Sequence, residues 1–148
     1  MKKLLLLCML LLSQSIYACD SHKEAICMAK AIYWESKGEH LLGKLSVASV
    51  VTERVKHDGF PNTICNVVYQ RNKITKKPEF SHHIINNTPI REIKAWNESK
   101  ELAHKIVSGE FKYQLAFTAL YFHSTSVSPN WKKKKLVAVI GNHKFYYY

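Results

Sequence analysis

The chain has 148 residues, 47% of them hydrophobic, with 22 Lys and Arg against 11 Asp and Glu, a formal charge of +11. That length suits one domain rather than two and buries roughly two thirds of the unfolded surface, so neither metal nor disulfide is needed merely to fold. Five glycines and four prolines exclude collagen and low-complexity sequence, while the charge excess points to an anionic partner such as nucleic acid, a membrane surface or an acidic polymer.

Lys2 and Lys3 precede an unbroken apolar run, Leu4 to Leu12, and Ser13, Gln14 and Ser15 lead on to Ala18. This is the pattern of an export signal over residues 1–18. As a helix the run spans about half of a bilayer's hydrocarbon core, too little for a transmembrane anchor. Removing residues 1–18 takes away only Lys2 and Lys3 among the charged residues and leaves +9 on residues 19–148. The basic character therefore belongs to the exported domain. Export to a periplasm or cell envelope argues against nucleic acid and leaves wall polymer or lipid headgroups as partners for what is expected to be a monomer.

Of the four cysteines, Cys8 falls in the signal and Cys19, Cys27 and Cys65 remain. In an oxidising compartment two of these pair. Cys27 with Cys65 is the expected bridge, and closing that loop stabilises by about 3–4 kcal/mol in the loop-entropy model. Cys19, in Ile16-Tyr17-Ala18-Cys19, sits in a segment resembling a bacterial lipoprotein box with an atypical Tyr17, which makes it a lipidation candidate. The alternative is simple cleavage after Ala18, with Cys19 free or paired to Cys27.

Ser21-His22-Lys23-Glu24 reads as a capping box, followed by an almost wholly apolar helix from Ala25 to Trp34 that Gly38 can end. A second helix runs from about Leu41 to Lys56, with Leu41, Leu45, Val47, Ala48, Val51 and Val55 on one face. Asp58-Gly59 closes it, and Phe60-Pro61-Asn62-Thr63 leads into a short helix from Ile64 to Tyr69. Residues 71–88 have no clean period and read as an irregular loop. Thr88-Pro89 opens a third long helix, ending near Ser108 before Gly109, with Ile93, Trp96, Ala103, Ile106 and Val107 as its core face. Leu115 to His123 and Lys135 to Ile140 read as strands, and Gly141-Asn142 turns the chain so that Lys144 to Tyr148 pairs back. Helices first and strands last give an α+β domain over residues 19–148.

The chemistry-bearing segment is Tyr33-Trp34-Glu35-Ser36-Lys37-Gly38-Glu39. A glutamate at the end of a buried, aromatic-lined helix has its pKa raised by desolvation, as a general acid requires. The competing reading is a helix-terminal ion pair of Glu35 with Lys37 or Arg54. Glu39, beyond Gly38, suits holding the fold or the substrate. His82, His83, His123 and His143 lack the spacing of a zinc motif, so neither metal nor cofactor is expected. Tyr121 and His123 project from one strand face, either toward a cleft or beneath the third helix. The run Lys132 to Lys135 is a solvated turn or a source of long-range attraction to anionic polymer or lipid.

The order Cys27-Met28-Ala29, Ala31-Ile32-Tyr33-Trp34-Glu35, Gly38-Glu39, Gly43, Val47-Ala48 and Val50-Val51 resembles the cell wall hydrolases related to the spore cortex-lytic enzyme. Arg54-Val55, Phe60-Pro61-Asn62-Thr63-Ile64-Cys65, Val67-Val68-Tyr69-Gln70, Phe80-Ser81, Trp131, Ile140-Gly141-Asn142-His143 and Phe145-Tyr146 continue the likeness to near the C-terminus. The resemblance implies a lysozyme-like helical domain with a small C-terminal antiparallel β element. It implies cleavage of peptidoglycan glycan strands between N-acetylmuramic acid and N-acetylglucosamine by a lytic transglycosylase with Glu35 as acid and base. Ser36 echoes the Glu-Ser step of other lytic transglycosylases. Ser36, Glu39, Phe80, Ser81, Tyr121, His123, Trp131 and His143 are the candidate substrate contacts. Three positions depart from the family pattern: Ser36-Lys37 stands for Ala-Arg, Glu53 for an asparagine, and His82 for an aromatic residue. The alternatives are an N-acetylmuramoyl-L-alanine amidase and a non-catalytic wall-binding module of the same fold.

Overall fold

The computed structural model describes residues 20–148; the expected export signal and Cys19 lie outside them. Helix α1 occupies 20–36, and α2 (Leu41–Lys56), α3 (Ile64–Val68), α4 (His82–Ile85) and α5 (Ile93–Val107) follow. Strands β1 (Tyr121–Ser124), β2 (Lys135–Ile140) and β3 (His143–Tyr147) form an antiparallel sheet in the order β1-β3-β2. The class is the expected α+β. Among the described residues no helix is long and apolar enough to cross a membrane.

Helix α1 buries Met28, Ala29, Ala31, Ile32 and Tyr33 completely, and α2 does the same with Val47, Ala48, Val50 and Val51. Runs of two or three residues fully out of water, interrupted only by Lys30 in α1 and Ser49 in α2, mean that each helix is enclosed on most sides. The expected α2 face was too narrow and began too early: Val50 is in the core, whereas Leu41 is 56% exposed. Met28, Ile32, Val51, Val68, Phe80, Ile84 and Ala103 form the main core. A smaller core of Val50, Ala119 and Phe145 joins α2 to the sheet.

Three local expectations need correction. Residue 20 is already helical, so Ser21 lies inside α1 and opens no capping box. Glu24 instead reaches forty residues on, where its Oε2 accepts from the backbone N–H of Ile64 (2.6 Å) and Cys65 (3.3 Å), alongside the Thr63 cap of α3. A carboxylate at those free N–H groups satisfies them and complements the helix dipole. Helix α5 begins at Ile93 rather than after Thr88, because the Thr88 hydroxyl pairs with His83 Nδ1 (3.1 Å). Ile93 is consequently exposed and not a core residue. The strand expected from Leu115 pairs only from Tyr121, the residue opposite Tyr146 near the end of β3; the stretch before it has little partner backbone left.

The Cys27–Cys65 disulfide ties α1 to α3, with Cα atoms 5.1 Å apart. At the opposite end of α1, Glu39 anchors the β2–β3 turn: its Oε1 accepts from Asn142 N (3.2 Å) and Asn142 Nδ2 (3.1 Å). Gly141 in that turn has φ +55°, and a Cβ there would come within 1.7 Å of Glu39 Oε2. Gly141→Ala therefore combines a left-handed conformation costing about 1–2 kcal/mol with displacement of the Glu39 carboxylate. We expect a loss of more than about 2 kcal/mol in urea unfolding, and an unchanged midpoint would refute this account of the turn.

Candidate active site

Glu35 lies in the last turn of α1, partly buried, where the chain returns over it at Phe80-Ser81. The Ser81 backbone N–H donates to Glu35 Oε1 at 2.5 Å, and Ser81 is also the cap of α4, its Oγ accepting from His83 N (3.3 Å). Burial pushes the Glu35 carboxyl above its ordinary range; the Ser81 N–H and the positive charge of Arg54 pull it back, but less. The expected alternative, an ion pair with Lys37 or Arg54, is not what forms. Lys37 pairs with Glu92 and lies over the Tyr33 and Trp34 rings, and Glu35 has no ion pair among the described residues.

Arg54, 3% exposed, faces this site from α2. Its Nε donates to the Leu120 carbonyl at 2.7 Å, and its guanidinium lies 4.9, 5.2 and 5.5 Å from the rings of Phe60, Phe80 and Tyr121. Its Nη1 is buried without a hydrogen bond. Burial lowers the pKa of Arg54, while the charges of Glu79 and Glu35 oppose that shift. Sequence reasoning treated Arg54 only as a rival ion-pair partner and a family match. A lone arginine within the apolar face of α2 was the signal available.

Tyr121, His123 and Trp131 come together on one face of the sheet, joined by Tyr146, which the sequence reading named only as part of the family likeness. His123 Nε2 meets the Tyr146 hydroxyl at 3.0 Å, and the two rings stack at 5.2 Å. Trp131 stands edge-on to Tyr121, His123 and Tyr146. Tyr121 pairs with Tyr146 across the β1–β3 ladder, so strand alternation puts these residues on one face. Tyr121 also bonds the Tyr148 hydroxyl (2.8 Å). Its ring against Arg54 connects this aromatic surface to the Glu35 end.

The other expected contacts are interior or structural. Ser36, 2% exposed, donates its hydroxyl to the Ile32 carbonyl (2.8 Å) and so turns into α1. Phe80 is 5% exposed and packs on Phe122 as core. Glu39 is held at the Asn142 turn. His143 is buried beneath Phe122, its Nδ1 3.9 Å from Glu39 Oε1, and burial lowers its pKa. Of the departures from the family pattern, Glu53 forms an exposed pair with Lys56 (2.8 Å), and His82 lies against His83.

A recessed carboxyl at the end of the central helix, set beside an aromatic surface on a small sheet, defines a lysozyme-like α+β domain. The chain belongs to the cell wall hydrolase family, whose model matches residues 38–146; Glu35 stands just ahead of that span. The catalytic domain of the Bacillus cereus SleB protein superposes with a TM-score of 0.61 at 25% identity, covering 84% of this chain and 89% of that one. The catalytic domain of the germination-specific lytic transglycosylase SleB from Bacillus anthracis gives the same score and identity, over 84% and 93%. The spore cortex-lytic enzyme of Bacillus cereus is 40% identical over 55 residues, 37% of this chain and 21% of that protein. Its counterpart from Bacillus subtilis (strain 168) is 27% identical over 86 residues, 55% of this chain. The chain thus matches 21–28% of the length of these curated relatives.

Because burial favours the neutral Glu35 carboxyl, the folded protein holds a proton that the unfolded chain releases near pH 4.5. Stability is therefore lost as pH rises from that value through the raised one. Glu35→Gln keeps an acceptor for the Ser81 N–H and removes the loss. The variant should melt above the parent at pH 7, with the gap closing by about pH 4; a gap independent of pH would contradict the direction given for Glu35.

Proposed function

We propose that the chain is an exported peptidoglycan-cleaving lytic transglycosylase that cuts between N-acetylmuramic acid and N-acetylglucosamine, with Glu35 as its acid and base. The observation that carries this reading is a carboxyl held toward its protonated form by burial while accepting one backbone N–H. Protonated Glu35 donates to the glycosidic oxygen as the C1–O bond breaks. The resulting carboxylate then takes the proton of the muramic 6-hydroxyl, whose oxygen bonds to C1 and closes a 1,6-anhydro ring. No water is consumed, and Glu35 ends protonated again.

A hydrolase of the two-carboxylate kind needs a second acid at a set separation. Glu39 is engaged by Asn142, which supports the one-carboxyl route. The likeness to a domain described as a lytic transglycosylase supports it too. Tyr121, His123, Trp131 and Tyr146 supply the aromatic surface on which sugar rings stack, and the Ser81 N–H orients Glu35.

Residues 1–18 serve as the export signal, and Cys19 is the site of lipid attachment or the first residue of the mature chain, in the periplasm or cell envelope. The protein recovered from an envelope fraction should lack residues 1–18. Retention of Met1 by mass spectrometry would overturn the export reading.

Purified sacculi digested with the protein should release muropeptides with 1,6-anhydromuramic ends. Reducing ends would make it a hydrolase, and freed stem peptides an amidase. Glu35→Gln should lower the rate by at least about 100-fold, the usual scale of general acid–base catalysis, with folding intact. Undiminished lysis by the folded variant would remove Glu35 from the mechanism.

A further inference from the structure

The Tyr121 ring carries two cations. The Arg54 guanidinium lies 5.5 Å from its centroid and the Lys134 ammonium 4.1 Å. Arg54 is offset by the charges of Glu35 and Glu79. Lys134 has no ion-pair partner among the described residues. It is nevertheless partly buried, unlike Lys132, Lys133 and Lys135 of the same run, which are exposed.

The local backbone accounts for this. The Lys134 N–H donates to the Trp131 carbonyl at 3.0 Å, a turn that folds the lysine back over Trp131, 4.9 Å from its ring. A lysine side chain ordinarily extends its ammonium into water. Here it is drawn onto two ring faces, where the attraction is electrostatic and strengthens as water is excluded. The rings are those of the surface that also holds His123 and Tyr146. An oriented ammonium beside an aromatic surface suited to a sugar ring, with no ion-pair partner among the described residues, is complementary to a sugar that bears an anion.

We propose that Lys134 pairs with a carboxylate of peptidoglycan while the neighbouring rings hold the sugar that carries it, making Lys134 a determinant of substrate choice. The inference rests on the peptidoglycan reading above. Muramic acid offers such a group in two ways, as its own lactyl carboxylate where the stem is absent and as the carboxylates of the stem peptide where it is present. The shared chemistry is a carboxylate close to the glycan.

The test measures retention of the full chain, in a Glu35→Gln background that leaves the polymer uncut, on three immobilised materials. These are intact sacculi, sacculi whose carboxyls are all amidated with carbodiimide and ethanolamine, and glycan strands freed of their stems by an amidase. Lys134→Met should weaken binding to intact sacculi by about tenfold, as loss of a charge-assisted contact does, and Lys134→Arg should not. The penalty should vanish on amidated sacculi. On stem-free strands, whose lactyl carboxylates the amidase has exposed, persistence of the penalty shows that the lactyl carboxylate also serves and its disappearance confines the pairing to the stem; either supports the pairing. Lys133→Met removes the same charge from the same run and should change binding by less than about twofold. An equal effect of Lys133→Met would reduce Lys134 to diffuse attraction, and a penalty that persists on amidated sacculi would reduce it to packing; either overturns the proposal alone. No binding of any variant to any of the three materials would overturn the peptidoglycan reading, and this inference with it.

Discussion

A guanidinium removed from water needs hydrogen-bond acceptors, polarisable surfaces or negative charge around it, or its burial costs several kcal/mol. Arg54 finds some of each: the Leu120 carbonyl, the rings of Phe60, Phe80 and Tyr121, and the charges of Glu35 and Glu79. These partners come from α1, the loop after α2, the segment before α4 and the start of the sheet. Compensating the charge of this one buried cation therefore requires that all four be in place. The helical half and the β half of the domain meet around it.

The same arrangement sets the properties of Glu35. The Phe80-Ser81 segment that covers Arg54 with a ring also brings a backbone N–H to the carboxyl. Desolvation raises the pKa of the acid, and Arg54 limits the rise without forming an ion pair. The role proposed for Glu35, giving up a proton and then taking one back, needs both influences. A direct ion pair would hold it as carboxylate, and an apolar pocket alone would hold it as acid.

The helices were largely legible in the sequence because their signals are local. Apolar periodicity marks α2, Thr63 marks the cap of α3, and the Gly141-Asn142 turn between apolar runs marks the β2–β3 hairpin. The failures are local patterns overridden by a different partner or by the rotation of the helix. Ser21 and Glu24 have the spacing of a capping box, yet Glu24 serves the N-terminus of α3. Thr88-Pro89 has the look of a helix start, yet Thr88 is engaged by His83. Ser36 follows the acid in sequence, but rotation of about 100° per helix residue turns it into the interior.

Residue chemistry and order, read with the family likeness, were enough to pick out Glu35 as a candidate at a helix end, to group Tyr121 with His123 by strand alternation, and to pair Cys27 with Cys65, because each depends on neighbours in the chain, on a run of matched motifs or on a short list of cysteines. Distances between elements were needed for the rest. Only the folded chain brings Arg54 to Tyr121, draws Glu39 to Asn142 across a gap of 103 residues, and lays Lys134 on two aromatic rings while the adjacent lysines face water. Burial and charge compensation are properties of the space around a side chain, and elements far apart in sequence build that space.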